Sequence, residues 1–88
     1  MTWTRERVRT ELLNVLKAYA DEDAKVTETS RLVADLGIDS LGVMEILSDL
    51  EDKFELHFPD ETLRDLETVA DVAVKIEDKL QHQGRLEG

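Results

Sequence analysis

Two adjacent residues, Asp39 and Ser40, form the one arrangement in this chain whose types and position could carry chemistry. They lie in the run LVADLGIDSLGVMEIL, where a glycine ends an irregular stretch, an aspartate stands at a capping position and a serine takes the first helical position. A serine there is exposed, because a first turn has little structure above it. The free N–H groups and positive dipole end of a helix start favour an anion, so a phosphate esterified to Ser40 would lie well against them. Asp39 opposes this, since a carboxylate repels a phosphodiester; a bridging divalent cation during transfer would relieve the conflict. Asp and Ser are also common at ordinary helix starts, and spacing alone leaves the plain cap as an open alternative.

Other chemistries fit poorly. His57 and His82 are the only histidines, and adjacent Asp and Ser cannot easily flank one imidazole in the order a hydrolase triad needs. There is no G-x-S-x-G elbow. Counting an EF-hand loop from Asp21 puts Val26 and Leu32 where Gly and Glu are required, so Asp21-Glu22-Asp23 is at most a weak divalent site. With no cysteine, disulfides, thiolate zinc sites and cysteine nucleophiles are excluded. No resident metal and no catalytic residue are expected.

Three helical segments must position the Asp39-Ser40 pair. Val8, Leu12, Val15, Leu16 and Tyr19 fall at offsets 0, 4, 7, 8 and 11 and make one face of a helix from about Thr4 to Ala20. Thr4 or Thr2 is its candidate cap. Val43, Ile46, Leu47, Leu50 and Phe54 make a second stripe over Ser40 to Phe54, with Asp39 as N-cap. Val69, Val72, Ala73, Ile76 and Leu80 make a third over Val69 to Gln81, with Thr68 and Asp71 spaced as a capping box. Pro59 followed by DETLRDL reads as one or two helical turns with Leu63 and Leu66 inward. Asp21 to Ile38 has no period, and a connection that long is often functional. Val26, Leu32, Leu36 and Ile38 are its candidate anchors to the core. The periodicity gives Trp3 no place, and residues 83–88 are polar and expected to fray. The reading is an all-α four-helix bundle: three main amphipathic helices, one short helix and a long first loop. It forms a single domain over residues 1–88, with a core of about 4–82.

The 88-residue length allows no second core. Eleven Lys+Arg against 21 Asp+Glu give a net charge of -10, which disfavours nucleic acid and anionic membrane surfaces and favours a basic partner. No stretch approaches the roughly 18 apolar residues of a membrane span. The N-terminal stretch has no continuous apolar signal region, so the cytoplasm is the default compartment. A bundle of this kind is expected to be a monomer.

The junction Leu32-x-x-Asp35-Leu36-Gly37-x-Asp39-Ser40-Leu41 resembles the acyl carrier proteins, including the carrier domains of polyketide and peptide synthases. Leu47, Leu50, Glu51, Phe54, Pro59 and Thr68-Val69 match that family in type and spacing, and the resemblance covers roughly residues 5 to 82. It implies a free-standing carrier whose Ser40 receives 4′-phosphopantetheine from coenzyme A through a phosphopantetheinyl transferase and magnesium. Asp39 would help present the serine. The arm's thiol would carry acyl groups as thioesters, supplying the reactive group the chain lacks. Such a protein is a substrate of other enzymes and has no activity of its own.

On the second helix Leu41, Met44 and Ser48 lie off the core stripe, flanked by Glu45, Asp49, Glu51 and Asp52. Exposed apolar residues rimmed by charge mark a contact surface. Acyl-loading enzymes, ketosynthases and other acyl-processing enzymes would meet it with basic residues. The family often has an acid where this chain has Gly42, and Ser48 also interrupts the acids; both lean towards polyketide or other specialised biosynthesis. The alternatives are fatty-acid synthesis and peptidyl or aminoacyl carriage. Outside the class stand an unmodified acidic helical adaptor and an acidic mimic of nucleic acid.

Overall fold

The computed structural model describes residues 2–20 and 25–87. Their order is helix α1 (Arg5–Lys17), helix α2 (Ser40–Phe54), a 3-10 helix (Asp60–Asp65) and helix α3 (Val69–His82). No strand occurs among the described residues; two isolated bridges, Trp3 with Leu86 and Arg31 with Thr68, tie distant segments together. The candidate calcium run at Asp21-Glu22-Asp23 lies outside the described residues.

Each helix starts where its cap residue dictates. The Thr4 hydroxyl accepts the Arg7 N–H at 3.1 Å and Asp39 accepts the Gly42 N–H at 2.7 Å. Thr68 and Asp71 form a reciprocal capping box on α3. α2 runs over the residues its stripe predicts, and Glu55, at φ 55 in the left-handed region, ends it. α3 continues one residue past the predicted end, so His82 closes a helix rather than opening a tail.

The three stripes bury against one another. Val8, Leu12, Leu16, Ile46, Leu50, Phe54, Val69, Val72, Ala73, Ile76 and Leu80 are almost fully enclosed, and each large side chain contributes about 1.5–3 kcal/mol by leaving water. The core is aliphatic apart from Phe54, Phe58 and Trp3. The short element after Pro59 is 3-10 rather than α. It buries Thr62, while Leu63 and Leu66 remain half-exposed against the core.

The long first connection is ordered around α3 by its backbone as well as by its apolar anchors. Ser30 O accepts the Val69 N–H at 3.0 Å and Glu28 O accepts the Ala70 N–H at 2.9 Å, so the loop fills two amides that the first turn of α3 leaves open. Leu32 N–H donates to Glu67 O at 2.9 Å. Arg9 of α1 pairs with both Glu28 and the buried Glu77 of α3, adding an ionic tie between loop and bundle.

The end of the chain departs from expectation. The segment expected to fray is placed beside the N-terminus: Trp3 N–H donates to Arg85 O and Glu87 N–H donates to Trp3 O, both at 2.7 Å. Trp3, which the helical periodicity leaves without a place, is buried between this segment and Phe54.

Candidate functional site

The run from Leu32 to Leu41 folds into a device that delivers Ser40 to the surface. Asp35 N–H donates to Arg31 O at 3.0 Å, and the Asp35 carboxylate accepts the Arg31 N–H at 2.7 Å. These bonds close one helical turn. Gly37 ends it at φ 69, with its N–H on Val33 O, the bond of an αL cap, and the Ile38 N–H on Leu32 O one residue further back. A Cβ at position 37 would strain that left-handed conformation. Leu32, Leu36 and Ile38 point into the core. The chain then extends through Asp39, at ψ 176, and enters α2. Leucines, glycine and aspartates in the run thus each have a separate mechanical duty, and the residue they deliver is Ser40.

Ser40 is exposed, and its hydroxyl has no partner among the described residues. Asp39 is exposed beside it; Oδ1 holds the Gly42 N–H, and Oδ2 has no partner among the described residues. The amides of Ser40 and Leu41 open the helix, an arrangement that suits a phosphate ester. Between α2, the preceding turn and the 3-10 helix lies an apolar groove of about 230 Å³, lined by Ser40 with Val33, Val43, Met44, Leu63 and Leu66. An exposed hydroxyl, open amides and an adjoining apolar groove fit a phosphate-linked arm at Ser40.

Three of the four large hydrophobic side chains exposed among the described residues flank Ser40: Val33 at 61 %, Leu41 at 64 % and Met44 at 51 %. Leu41 and Met44 are the two the helical wheel picks out. Val33 is missed by sequence reasoning because it stands in a stretch without period; its signal is an apolar residue directly after the inward Leu32. Leu63 and Leu66 are read from sequence as core and instead also form one wall of the groove.

Glu45, Ser48, Asp49 and Asp52 are exposed on the outer side of α2. Asp49 is already engaged by Tyr19 of the α1 end, whose hydroxyl donates to it at 2.5 Å. Glu51 is placed apart from the outer acids in its duty. Its carboxylate accepts the Phe58 N–H at 2.8 Å and lies 3.3 Å from His57 Nδ1, so it fastens the connection after α2. Gly42 has a steric reason: a Cβ there would stand 2.7 Å from Ile38 Cγ2 and 3.2 Å from Asp39 Oδ1. The acid that the resemblance leads one to expect at this position would displace a buried, β-branched neighbour.

Neither histidine lines the groove beside Ser40. His57 is an exposed loop residue next to Glu51, and His82 Nδ1 lies 3.0 Å from Asp78 O on α3. No cluster of His, Cys, Asp or Glu among the described residues could hold a metal ion, and no helix there is long and apolar enough to cross a membrane.

Residues 6–76 match the family described as "Phosphopantetheine attachment site". An acyl carrier protein of Exiguobacterium sp. is 42% identical over 81 residues, spanning 88% of this chain and 99% of that relative. One of Rhodococcus erythropolis is 38% identical over 85 residues, spanning 96% of this chain and 92% of that relative. Among solved structures, Rv0033 of Mycobacterium tuberculosis, described as a candidate acyl carrier protein, superposes with a TM-score of 0.72 at 26% identity, covering 78% of this chain and 93% of that one.

Proposed function

Because the chain belongs to the acyl carrier protein family, with phosphopantetheine as its covalent group, we propose that Ser40 is the attachment residue, that Asp39 presents it, and that Val33, Leu41 and Met44 with Glu45, Asp49 and Asp52 receive the partner enzymes. As a member of that family the protein is a carrier, and enzymes act on what it carries. The observation that carries the Ser40 assignment is its position: an exposed, unengaged hydroxyl at the start of α2, beside an apolar groove and ringed by exposed hydrophobics.

The bound arm supplies a thiol on which acyl groups ride as thioesters. The chain's own residues do the rest. The turn over residues 31–37 and the Asp39 cap hold the Ser40 hydroxyl outward, where a transferase can reach it. Asp39 Oδ2, left open, faces the reaction as a carboxylate that a divalent cation can bridge. The apolar groove receives the uncharged part of the arm next to the serine. Leu41 and Met44 give a partner apolar contact, and the carboxylates around them speed encounter with a basic surface while keeping affinity modest.

For the pathway, we read the protein as a carrier for polyketide or other specialised biosynthesis. What supports this is the face itself: Gly42 and Ser48 interrupt its acids, leaving a pattern suited to a narrower set of basic partners. Fatty-acid synthesis and peptidyl or aminoacyl carriage are the competing roles. The test has two steps. Digestion of the transferase-treated protein should place the added phosphopantetheine on the peptide holding Ser40; modification of another residue overturns the assignment. The holo protein is then offered to acyl-loading enzymes of polyketide and fatty-acid origin and to amino-acid adenylating enzymes. Faster loading by the polyketide enzyme supports the proposed pathway, and faster loading by either of the others replaces it.

A further inference from the structure

We propose that Tyr19 is a positioning residue for partner docking: from the end of α1 its hydroxyl holds the Asp49 carboxylate of α2 in the orientation that a partner's arginine meets. This rests on the docking reading above and extends it onto a second element.

The bond joins residues 30 apart in sequence and ties the turn just after α1 to α2. Tyr19 is half-buried, packed against the core by its ring, with its hydroxyl on Asp49 Oδ2 at 2.5 Å. Without it Asp49 would be an exposed carboxylate free to sample its rotamers. With it, one oxygen is fixed and Oδ1 has no partner among the described residues. The phenol is a dependable donor: it is pushed from 10.0 up to about 12, first by the hydrogen bond to Asp49, then by burial and the charges of Asp49 and Glu45.

The surroundings define what the fixed carboxylate can meet. A shallow groove of about 480 Å³ runs between the α1 end and α2, lined by Val15, Ala18, Tyr19, Asp49, Asp52 and Lys53. Lys53 would oppose a cation, but its ammonium is turned to Glu11 at 2.8 Å and balanced there. Asp49 and Asp52 therefore set the sign of the groove. A guanidinium suits it better than an ammonium, because it can take a carboxylate through its N–H fork and lay its plane on the Tyr19 ring.

The experiment uses the full chain with coenzyme A, magnesium and a phosphopantetheinyl transferase, reading KM and kcat separately. Tyr19→Phe should raise KM about three- to tenfold with kcat unchanged, the scale of immobilising one more side chain on binding. Added to Asp49→Asn it should cause no further rise. Ultraviolet titration of this single tyrosine should have its midpoint near 12 and fall towards 10.0 in Asp49→Asn, with circular dichroism checking the fold. Asp52→Asn and Leu41→Ser are the reference variants. If they raise KM and Tyr19→Phe does not, the positioning role is overturned and docking on α2 stands. If none raises KM, the docking reading itself fails. A Tyr19→Phe variant that lowers the melting temperature and changes kcat would assign Tyr19 a purely structural role and overturn the inference.

Discussion

The Trp3 ring lies 4.5 Å from that of Phe54, centroid to centroid, tilted by 56°. Arg7 covers the indole from 4.7 Å. Arg85 reaches past both to donate to Phe54 O at 2.6 Å and to Glu55 O at 3.1 Å. The two ends of the described chain therefore meet over the last turn of α2, and the carbonyls that a helix end leaves open are filled by a residue 31 positions away. Removing the indole leaves a cavity against Phe54, so Trp3→Ala should cost about 3 kcal/mol in a denaturant melt. Arg85→Ala should cost about 1–2 kcal/mol. Unchanged midpoints in both would mean that this clasp contributes nothing to stability.

Gly42 gives a prediction with opposing terms. Alanine in a helix interior is favoured over glycine by about 1 kcal/mol, an upper bound for Gly42, which stands in the first turn of α2. Here its Cβ would stand 2.7 Å from Ile38 Cγ2, and overpacking costs about 1–3 kcal/mol. Gly42→Ala should therefore lower the thermal midpoint, and a rise would show that Ile38 yields at little cost.

The capping box on α3 predicts a pH dependence. Asp71 accepts the Thr68 and Glu67 N–H groups, both at 3.0 Å, and these bonds hold its carboxyl below the ordinary 3.8. A depressed carboxylate stabilises the fold above its unfolded pKa and stops doing so as pH falls through the folded value. The wild type should exceed Asp71→Asn in stability at pH 7, with the gap closing below 3.8. Thr68→Ala should cost about 1 kcal/mol at pH 7. A gap for Asp71→Asn that does not change with pH would contradict this account.

Val33 separates surface function from folding. It is 61 % exposed, so Val33→Ser should change stability by no more than about 0.5 kcal/mol. It should raise the KM of partner enzymes for the carrier. Loss of stability with an unchanged KM would reassign Val33 to the fold.

What the sequence made legible follows from periodicity. Helical stripes and caps placed α2 and α3 and the start of α1, because an amphipathic helix writes its buried face at fixed offsets. Asp39 and Ser40 were legible for the same reason: one caps and the other follows. The turn over residues 31–37 was not, because a single helical turn is too short to show a period. Its Val33 was therefore missed. The backbone bonds from Ser30 and Glu28 into α3 involve no side-chain pattern at all. The meeting of Trp3 with residues 84–87 joins sequence positions too distant for local reading, and so does the reach of Tyr19 to Asp49. Glu51 shared the spacing of the outer acids, but its carboxylate is engaged by the loop that follows α2, which only the tertiary arrangement reveals.

The most direct test of the central claim is an intact mass of the purified chain after incubation with coenzyme A, magnesium and a promiscuous phosphopantetheinyl transferase, beside Ser40→Ala. The account predicts a gain of one phosphopantetheine in the wild type and none in the folded variant. An equal gain in Ser40→Ala would contradict the assignment of Ser40. No gain in either, with a dedicated transferase also tried, would contradict the carrier role at this serine.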